Sequence, residues 1–463
     1  MELSKRKKIE LITKLASLQQ EWSDWRDKSK AAQVLEKHHS QIHRITVRLE
    51  ELQKEMIKEL DLLENDPPGV LARARELEEL MLEIHRVWEF FRSKLSLRSV
   101  NWFSKYLAAA DDLAWDCYRA AQLNLSPNYL PAHHVKEPPL VFFNGGASPF
   151  TQARNEAFEA EAVPDAALKT EAARKVLRSL PIPVIGVPWF QVQHLPEALV
   201  IAHEVGHDVE SDFKLTRELR EALDEGFGAA GTDEGRRGAW RSWLGEIFAD
   251  VYGALACGPA FVGALMDFLA TNVDRVERAR RQAPNWGPYP TDYLRILINL
   301  EVLRQRNFLA EREALRREWD SVYESHAMPE YETDIEAIVR AIISKPFAAF
   351  GGKALTSIIS FSDAEQATAE TDAARIIGGH AAQSGNVRTL FAAARLAFSL
   401  DAEAYGRRDV HNLVLNRAEQ IREKGVRSSR TATNRPLGSL DEEDKAAGAE
   451  IFRTLSQART RRP

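Results

Sequence analysis

Cysteine is scarce in this chain of 463 residues, which contains only Cys117 and Cys257. The two lie far apart in sequence, each in an apolar, helix-like segment. This pattern argues against a disulfide framework, and it also argues against a zinc site built from closely spaced thiolates. We therefore expect a protein of a reducing compartment.

Long hydrophobic runs are missing as well. The longest uncharged stretch extends from Val251 to Met266, which is short for a membrane span, and Gly258-Pro259 interrupts it. The first residues, MELSKRKKIELITKLASL, lack the apolar core of a signal peptide. These features predict a cytoplasmic protein with no membrane segment.

Neither sign of charge dominates the chain. The formal net charge is −6, and no broad basic stripe is present, so nucleic acid is not an expected partner. A Walker-type phosphate loop and a GxSxG nucleophile motif are also absent from the sequence. The nucleotide hydrolases and serine hydrolases that carry these motifs are therefore not favoured.

The first part of the chain has the apolar spacing of long helices. A seam that begins at Ile42 and Ile45 stops at Asp66-Pro67-Pro68-Gly69, and helical spacing resumes from Leu77 to Phe91. This pattern predicts an antiparallel helical hairpin packed on the rest of the protein. The alternative is an arm that recognises a protein partner.

Changes in composition predict four regions and a mostly α (α+β) fold. They are an N-terminal long-helix hairpin (1–125), a catalytic domain (126–330), a helical region (331–426) and a loose polar tail (427–463) around one short helix near Asp444 to Gln457.

Two short strands are expected within the second region. Leu140 to Phe143 is one, and it ends at Asn144-Gly145-Gly146. Ile182 to Val187 is the other, and its flanking prolines predict a position at the edge of a sheet. The next helix carries the main motif.

That motif is the HEVGH sequence from His203 to His207. Residues four apart on a helix share one face, so the two imidazoles can bind one metal ion. Glu204 then lies beside the metal, where it can accept a proton from a water molecule. The spacing predicts a single Zn²⁺ per chain, with Glu204 as the catalytic base.

A third metal ligand is expected in the segment WLGEIFADVYGALACGP. Glu246 and Asp250 are four residues apart on an apolar helix, and burying two carboxylates there is costly without a compensating cation. We expect Glu246 to bind the zinc, and we expect Asp250 to accept the ring N–H of a zinc-binding histidine.

An HExxH helix followed by an ExxxD helix resembles the gluzincins, which are zinc peptidases with a glutamate ligand. The resemblance covers about residues 180 to 260. It implies a zincin-like catalytic domain in which His203, His207 and Glu246 bind zinc and Glu204 is the base. It also implies that Val184 to Val187 pairs with an extended substrate. The insertion between the two helices, EGFGAAGTDEGRRG, is expected to be a charged loop at the rim of the cleft.

A peptidase of this kind also needs a residue that stabilises the oxyanion, the negatively charged oxygen that forms on the substrate carbonyl during hydrolysis. This residue is harder to identify. Tyr289 and Arg295 are the first candidates because their segment follows the helix of Glu246 and mixes aromatic with charged residues. Tyr293, His326 and His380 are further candidates, each with a simpler structural interpretation.

These features predict a zinc metalloendopeptidase that cleaves a selected protein or peptide substrate. The alternatives are an aminopeptidase, for which no amine-binding motif is recognised, and a catalytically inactive scaffold or binding protein.

Overall fold

Helices dominate the structure, which confirms the expected mostly α fold. The computed structural model describes residues 3–30, 34–63, 66–126, 136–154, 182–275, 286–324, 327–424 and 438–460. His326 lies outside these ranges.

Four long helices begin the chain: α1 (Leu3–Lys28), α2 (His39–Leu62), α3 (Pro67–Ser96) and α4 (Asn101–Asn124). The first three bury their apolar stripes on one another and on one face of a small sheet. Helix α4 differs from its neighbours, because it packs into the larger core that also contains the helix of the HEVGH motif and the helix of Glu246.

The sheet has three strands: β1 (Leu140–Asn144), β2 (Phe150–Gln152) and β3 (Val184–Pro188). Their order is β1-β3-β2, with β1 parallel and β2 antiparallel to β3. The prediction that this third strand lies at an edge was therefore wrong. Pro183 precedes the strand and Pro188 is its last residue, so neither proline interrupts the paired interior.

Alternation along the strands places the sheet between two cores. Leu140 and Val184 face the N-terminal helices, whereas Val141 and Ile185 face the larger core. This is the period-2 pattern of a strand buried on both faces. The sheet therefore ties the N-terminal helices to the part of the protein that carries the HEVGH motif.

After β3, two short 3-10 helices lead directly into the motif helix. The five helices that follow are α5 (Ile201–Asp212), α6 (Thr216–Ala230), α7 (Glu234–Ser242), α8 (Leu244–Leu269) and α9 (Asp292–Gln305). The predicted charged loop between α5 and α8 is instead helical, except for a short turn. Gly231 ends α6 with φ 67°, and the Asp233 side chain caps α7 by accepting from the Arg236 N–H.

Helix α8 bends where the sequence predicted an interruption. Gly258 has φ 61° and ψ −148°, and Pro259 follows it. Among the described residues, α8 is long and apolar enough to cross a membrane, but its apolar stretch is completely buried by the rest of the fold. This burial is typical of the core helix of a globular protein.

The remaining chain is also helical. It comprises α10 (Leu309–Tyr323), α11 (Pro329–Ser344), α12 (Leu355–Ile358), α13 (Asp363–Ile377), α14 (Val387–Leu400), α15 (Ala402–Arg407), α16 (Val410–Lys424) and α17 (Gly438–Thr460), with a two-stranded hairpin of β4 (Pro346–Phe347) and β5 (Lys353–Ala354) after α11.

The C-terminal helix corrects the expectation of a loose tail. Helix α17 is longer than predicted and packs along α2, at the opposite end of the sequence. Asp444 is fully buried there, and it accepts hydrogen bonds from Arg44 at 2.8 Å and from Arg48 at 2.7 Å. Two buried cations thus share one buried carboxylate, which holds the two ends of the chain together.

Candidate metal centre and its pocket

The candidate metal centre lies where α5 crosses α8. Gly206, within the motif, lies directly against α8: a Cβ added there would lie 2.8 Å from the Cα of Ala249. A glycine inside a helix costs about 1 kcal/mol relative to alanine. This position therefore has a structural reason, because it lets the backbones of the two ligand-bearing helices come close together.

The crossing brings together the three predicted ligands. Nε2 of His203 lies 3.2 Å from Nε2 of His207 and 3.3 Å from Oε2 of Glu246. Nε2 of His207 lies 3.4 Å from the other oxygen, Oε1, of Glu246. One ligand atom from each residue can be chosen so that all lie within 4.8 Å of one another.

Ligand atoms bound to a small tetrahedral ion at about 2.0–2.2 Å would be about 3.3–3.6 Å apart. The spacing of the two imidazole nitrogens and the distance from His203 to Oε2 are close to these values, whereas His207 lies nearest to the other carboxylate oxygen. Oε2 of Glu246 is also buried and makes no hydrogen bond of good geometry, although Nε2 of His203 lies 3.3 Å away. Since a buried carboxylate oxygen is costly to leave without a hydrogen bond, this atom is suited to binding a cation. The donor set of two imidazoles and one carboxylate could hold zinc.

Asp250 supports the first histidine as expected. This fully buried residue accepts a hydrogen bond from Nδ1 of His203 at 2.7 Å, which leaves Nε2 directed toward the other ligands. Arg295 in turn donates two hydrogen bonds to Asp250, from Nε to Oδ2 and from Nη2 to Oδ1, each 2.8 Å long. Arg295 thus binds the carboxylate that orients His203.

The charges around the centre shift its pKa values in opposite directions. Burial disfavours the charged form of Glu246, but the hydrogen bonds and charges of His203 and His207 outweigh this effect and lower its pKa. Burial also disfavours the charged form of His203, but Asp250, with a smaller contribution from Glu246, raises its pKa to about 10. Burial raises the pKa of Glu204, and the two nearby histidines oppose this shift.

A pocket of about 330 Å³ opens over the centre. It is lined by Ser148, Pro149, Phe150, Thr151, Val200, His203, Glu204, His207, Glu210, Ser211, Thr216, Glu246, Phe268, Tyr289 and Arg295. The predicted base and both first candidates for oxyanion stabilisation are therefore in the same pocket as the three candidate ligands. The Thr291 side chain caps α9 by accepting from the Leu294 N–H at 3.3 Å.

The other predicted donors lie elsewhere. Tyr293 is buried under α10, where its hydroxyl accepts a hydrogen bond from Arg316 at 3.1 Å. His380 is exposed in the connection between α13 and α14 and does not line the pocket.

Sequence reasoning missed two features of the pocket. Strand β2 was not predicted, yet Phe150 and Thr151 form part of the wall, and Thr151 donates a hydrogen bond to Asp208 of α5 at 3.2 Å. Three residues are too short a strand for periodicity to be read. Glu210 was also missed, although its place seven residues after His203 puts it on the same helix face.

Comparisons of the chain with protein families, with curated proteins and with solved structures find no match. The resemblance to gluzincins consequently stays a prediction that depends on the motif residues alone.

Proposed function

We propose that this chain is a zinc-dependent metalloendopeptidase acting on a selected protein substrate. The observation that carries the proposal is the convergence of His203, His207 and Glu246, with ligand atoms within 4.8 Å of one another, on a pocket that also contains Glu204. If the HExxH sequence had arisen by chance, there would be no reason for a carboxylate from another helix to lie this close to both imidazoles.

Zinc held by these residues would supply a Lewis acid that polarises a carbonyl group and lowers the pKa of water. Glu204 acts as the general base, since its carboxylate lines the pocket one residue after the first ligand. It accepts a proton from the attacking water and later donates it to the leaving amine. Its burial raises its pKa, which suits a carboxylate that must both accept and release a proton.

Strand β2 is the proposed site of substrate pairing. Among the described residues, β2 pairs with β3 on one side and has no strand partner on the other. Phe150 and Thr151 of this strand line the pocket. An extended peptide can add to such an edge through backbone hydrogen bonds. This role replaces the one expected for β3, whose two edges are already paired.

The two polar residues from the α9 segment have different proposed roles. Tyr289 is 59% exposed at the pocket, where its hydroxyl can reach a substrate carbonyl oxygen. Arg295 directs two nitrogens to Asp250, so we assign it a positioning role through His203.

The Glu204→Gln variant tests the proposal. It preserves the size of the side chain but removes the base, so we expect it to retain zinc and lose hydrolysis. Cleavage sites should be mapped in a complex protein mixture by mass spectrometry for the parent and the variant. Glu221→Gln is a matched control, because Glu221 is exposed on α6 and does not line the pocket.

Equal cleavage by parent and Glu204→Gln would contradict the assigned base. A parent protein that binds zinc and yields no cleavage products would instead favour the scaffold alternative.

A further inference from the structure

One charged residue of the pocket has no part in the proposed chemistry. His203, His207 and Glu246 are assigned to the metal, Glu204 to the proton and Arg295 to Asp250. Among the described residues that line the pocket, this leaves Glu210 as the remaining charged side chain.

The position of Glu210 on α5 sets its distance from the centre. It follows His207 by three residues, which moves it about 4.5 Å further along the helix axis on the same face. It therefore lies beside the candidate metal, toward the C-terminal end of α5. A side chain next to the reacting bond can reach this position.

One oxygen of Glu210 is occupied and the other is available. Oε1 accepts a hydrogen bond from the Thr216 hydroxyl at 2.9 Å, which fixes the carboxylate. Oε2 has no hydrogen-bond partner among the described residues. A Cβ on Gly245 would lie 3.5 Å from Oε2, so the glycine leaves that side of the carboxylate open.

The carboxylate also lacks a cation. No described Lys, Arg or His forms an ion pair with Glu210, and its side chain is half-buried. Burial raises the pKa of Glu210, and this effect exceeds the opposing hydrogen bond from Thr216 and the charges of His207 and Arg220. A cationic ligand would compensate for the lost hydration of this carboxylate.

The opposite direction along α5 has a different character. Val200 precedes His203 by three residues and lines the pocket toward the N-terminal end of α5. Phe268 and Tyr289 add aromatic surface to the same pocket. Along α5, the candidate metal thus lies between the apolar Val200 and the acidic Glu210.

We propose that Glu210 forms a subsite for a cationic group of the substrate, namely the side chain of an arginine or lysine on one side of the cleaved bond, with a large apolar residue on the other side. This proposal rests on the proposed function. It narrows the substrate class to basic peptide segments.

Binding to the zinc-loaded Glu204→Gln protein tests the subsite without hydrolysis. The probes are N-acetylated, C-amidated peptides with a central phenylalanine and with arginine at each flanking position in turn. Their partners contain citrulline, which has nearly the same shape and no charge. Dissociation constants are measured for Glu204→Gln alone and for the same protein with Glu210→Gln or Glu221→Gln added.

We expect one arginine position to bind roughly tenfold more tightly than its citrulline partner. This ratio should fall to near one with Glu210→Gln, which can still accept the Thr216 hydrogen bond, and it should persist with the control Glu221→Gln. Equal affinities at all positions, including no binding of either peptide, would overturn the proposal. So would a ratio that survives Glu210→Gln.

Two further outcomes separate this inference from the function. Cleavage by the parent without any preference for arginine would refute the subsite and leave the peptidase assignment standing. Charge-dependent binding without cleavage by the parent would support the subsite and refute the peptidase assignment. The same peptides are also measured without the N-acetyl group. A preference seen only in these peptides would assign Glu210 to the terminal amine of the substrate and overturn the side-chain proposal.

Discussion

Replacing Asp250 with asparagine should weaken both the metal centre and the fold, through separate contacts. The carboxylate accepts from Nδ1 of His203 and from two nitrogens of Arg295, and it is fully buried. An asparagine has one acceptor oxygen and one amide nitrogen. Whichever way the amide faces, at least one of the three donating nitrogens meets its N–H and loses an acceptor, and both neighbours lose the negative charge.

The two effects have different expected sizes. Arg295 would be left as a buried cation, with Glu246 as its nearest remaining acid at 3.6 Å. Removing one partner of a buried ion pair costs about 3–5 kcal/mol. Losing the carboxylate behind a metal-binding histidine weakens metal affinity about 10- to 100-fold, or about 1.4–2.7 kcal/mol.

The assays separate these terms. Urea unfolding of the zinc-free protein, in the presence of a chelator, measures the effect of the ion pair alone. Competition with a chromogenic chelator measures the zinc affinity. Asp267→Asn is the matched control, because Asp267 is on the same helix and pairs with Arg395 at 3.0 Å outside the pocket. Unchanged zinc affinity in Asp250→Asn, or an equal loss in Asp267→Asn, would refute the proposed role.

Two further substitutions test the helix crossing and the N-terminal core. Gly206→Ala should lower the free energy of unfolding by about 1–3 kcal/mol and weaken zinc binding, because the added Cβ would push α5 away from α8. The control Gly228→Ala should be neutral or stabilising, since a Cβ there would meet no neighbouring residue within 4 Å. Equal changes in the free energy of unfolding for the two variants, measured by urea unfolding, would contradict the close crossing of α5 and α8. Burial lowers the pKa of Lys94 from 10.5 to about 7. Between pH 7 and pH 10.5, Lys94 is therefore protonated in the unfolded chain but neutral in the folded protein, so the free energy of unfolding rises with pH. Lys94→Met should therefore raise the free energy of unfolding by up to about 4 kcal/mol near pH 6 and by less near pH 10. If urea unfolding gave the same increase at both pH values, Lys94 would not be a buried neutral amine.

The three candidate metal ligands were predictable from sequence because their signals are local. The HEVGH spacing sets two imidazoles on one helix face, and Glu246 with Asp250 stands out as a pair of acids in an apolar helix. Both signals depend on residues four apart. The structure brings these residues together as expected, although the zinc itself stays a prediction.

The features that were missed depend on distant partners. The burial of Asp444 follows from Arg44 and Arg48, which lie at the other end of the chain, so local composition indicated a polar tail instead. The position of β3 depends on β2, a strand too short to be recognised. The flanking prolines lie near the ends of β3, but they did not identify its neighbours.

The most direct measurement is the zinc content of purified protein by mass spectrometry, for the parent and for His203→Ala, His207→Ala and Glu246→Ala. The shared centre predicts about one zinc per parent chain and strongly reduced occupancy in each variant, while Glu221→Gln remains fully loaded. Full zinc occupancy in all three alanine variants, or a parent that does not bind zinc, would contradict the metal centre on which this account depends.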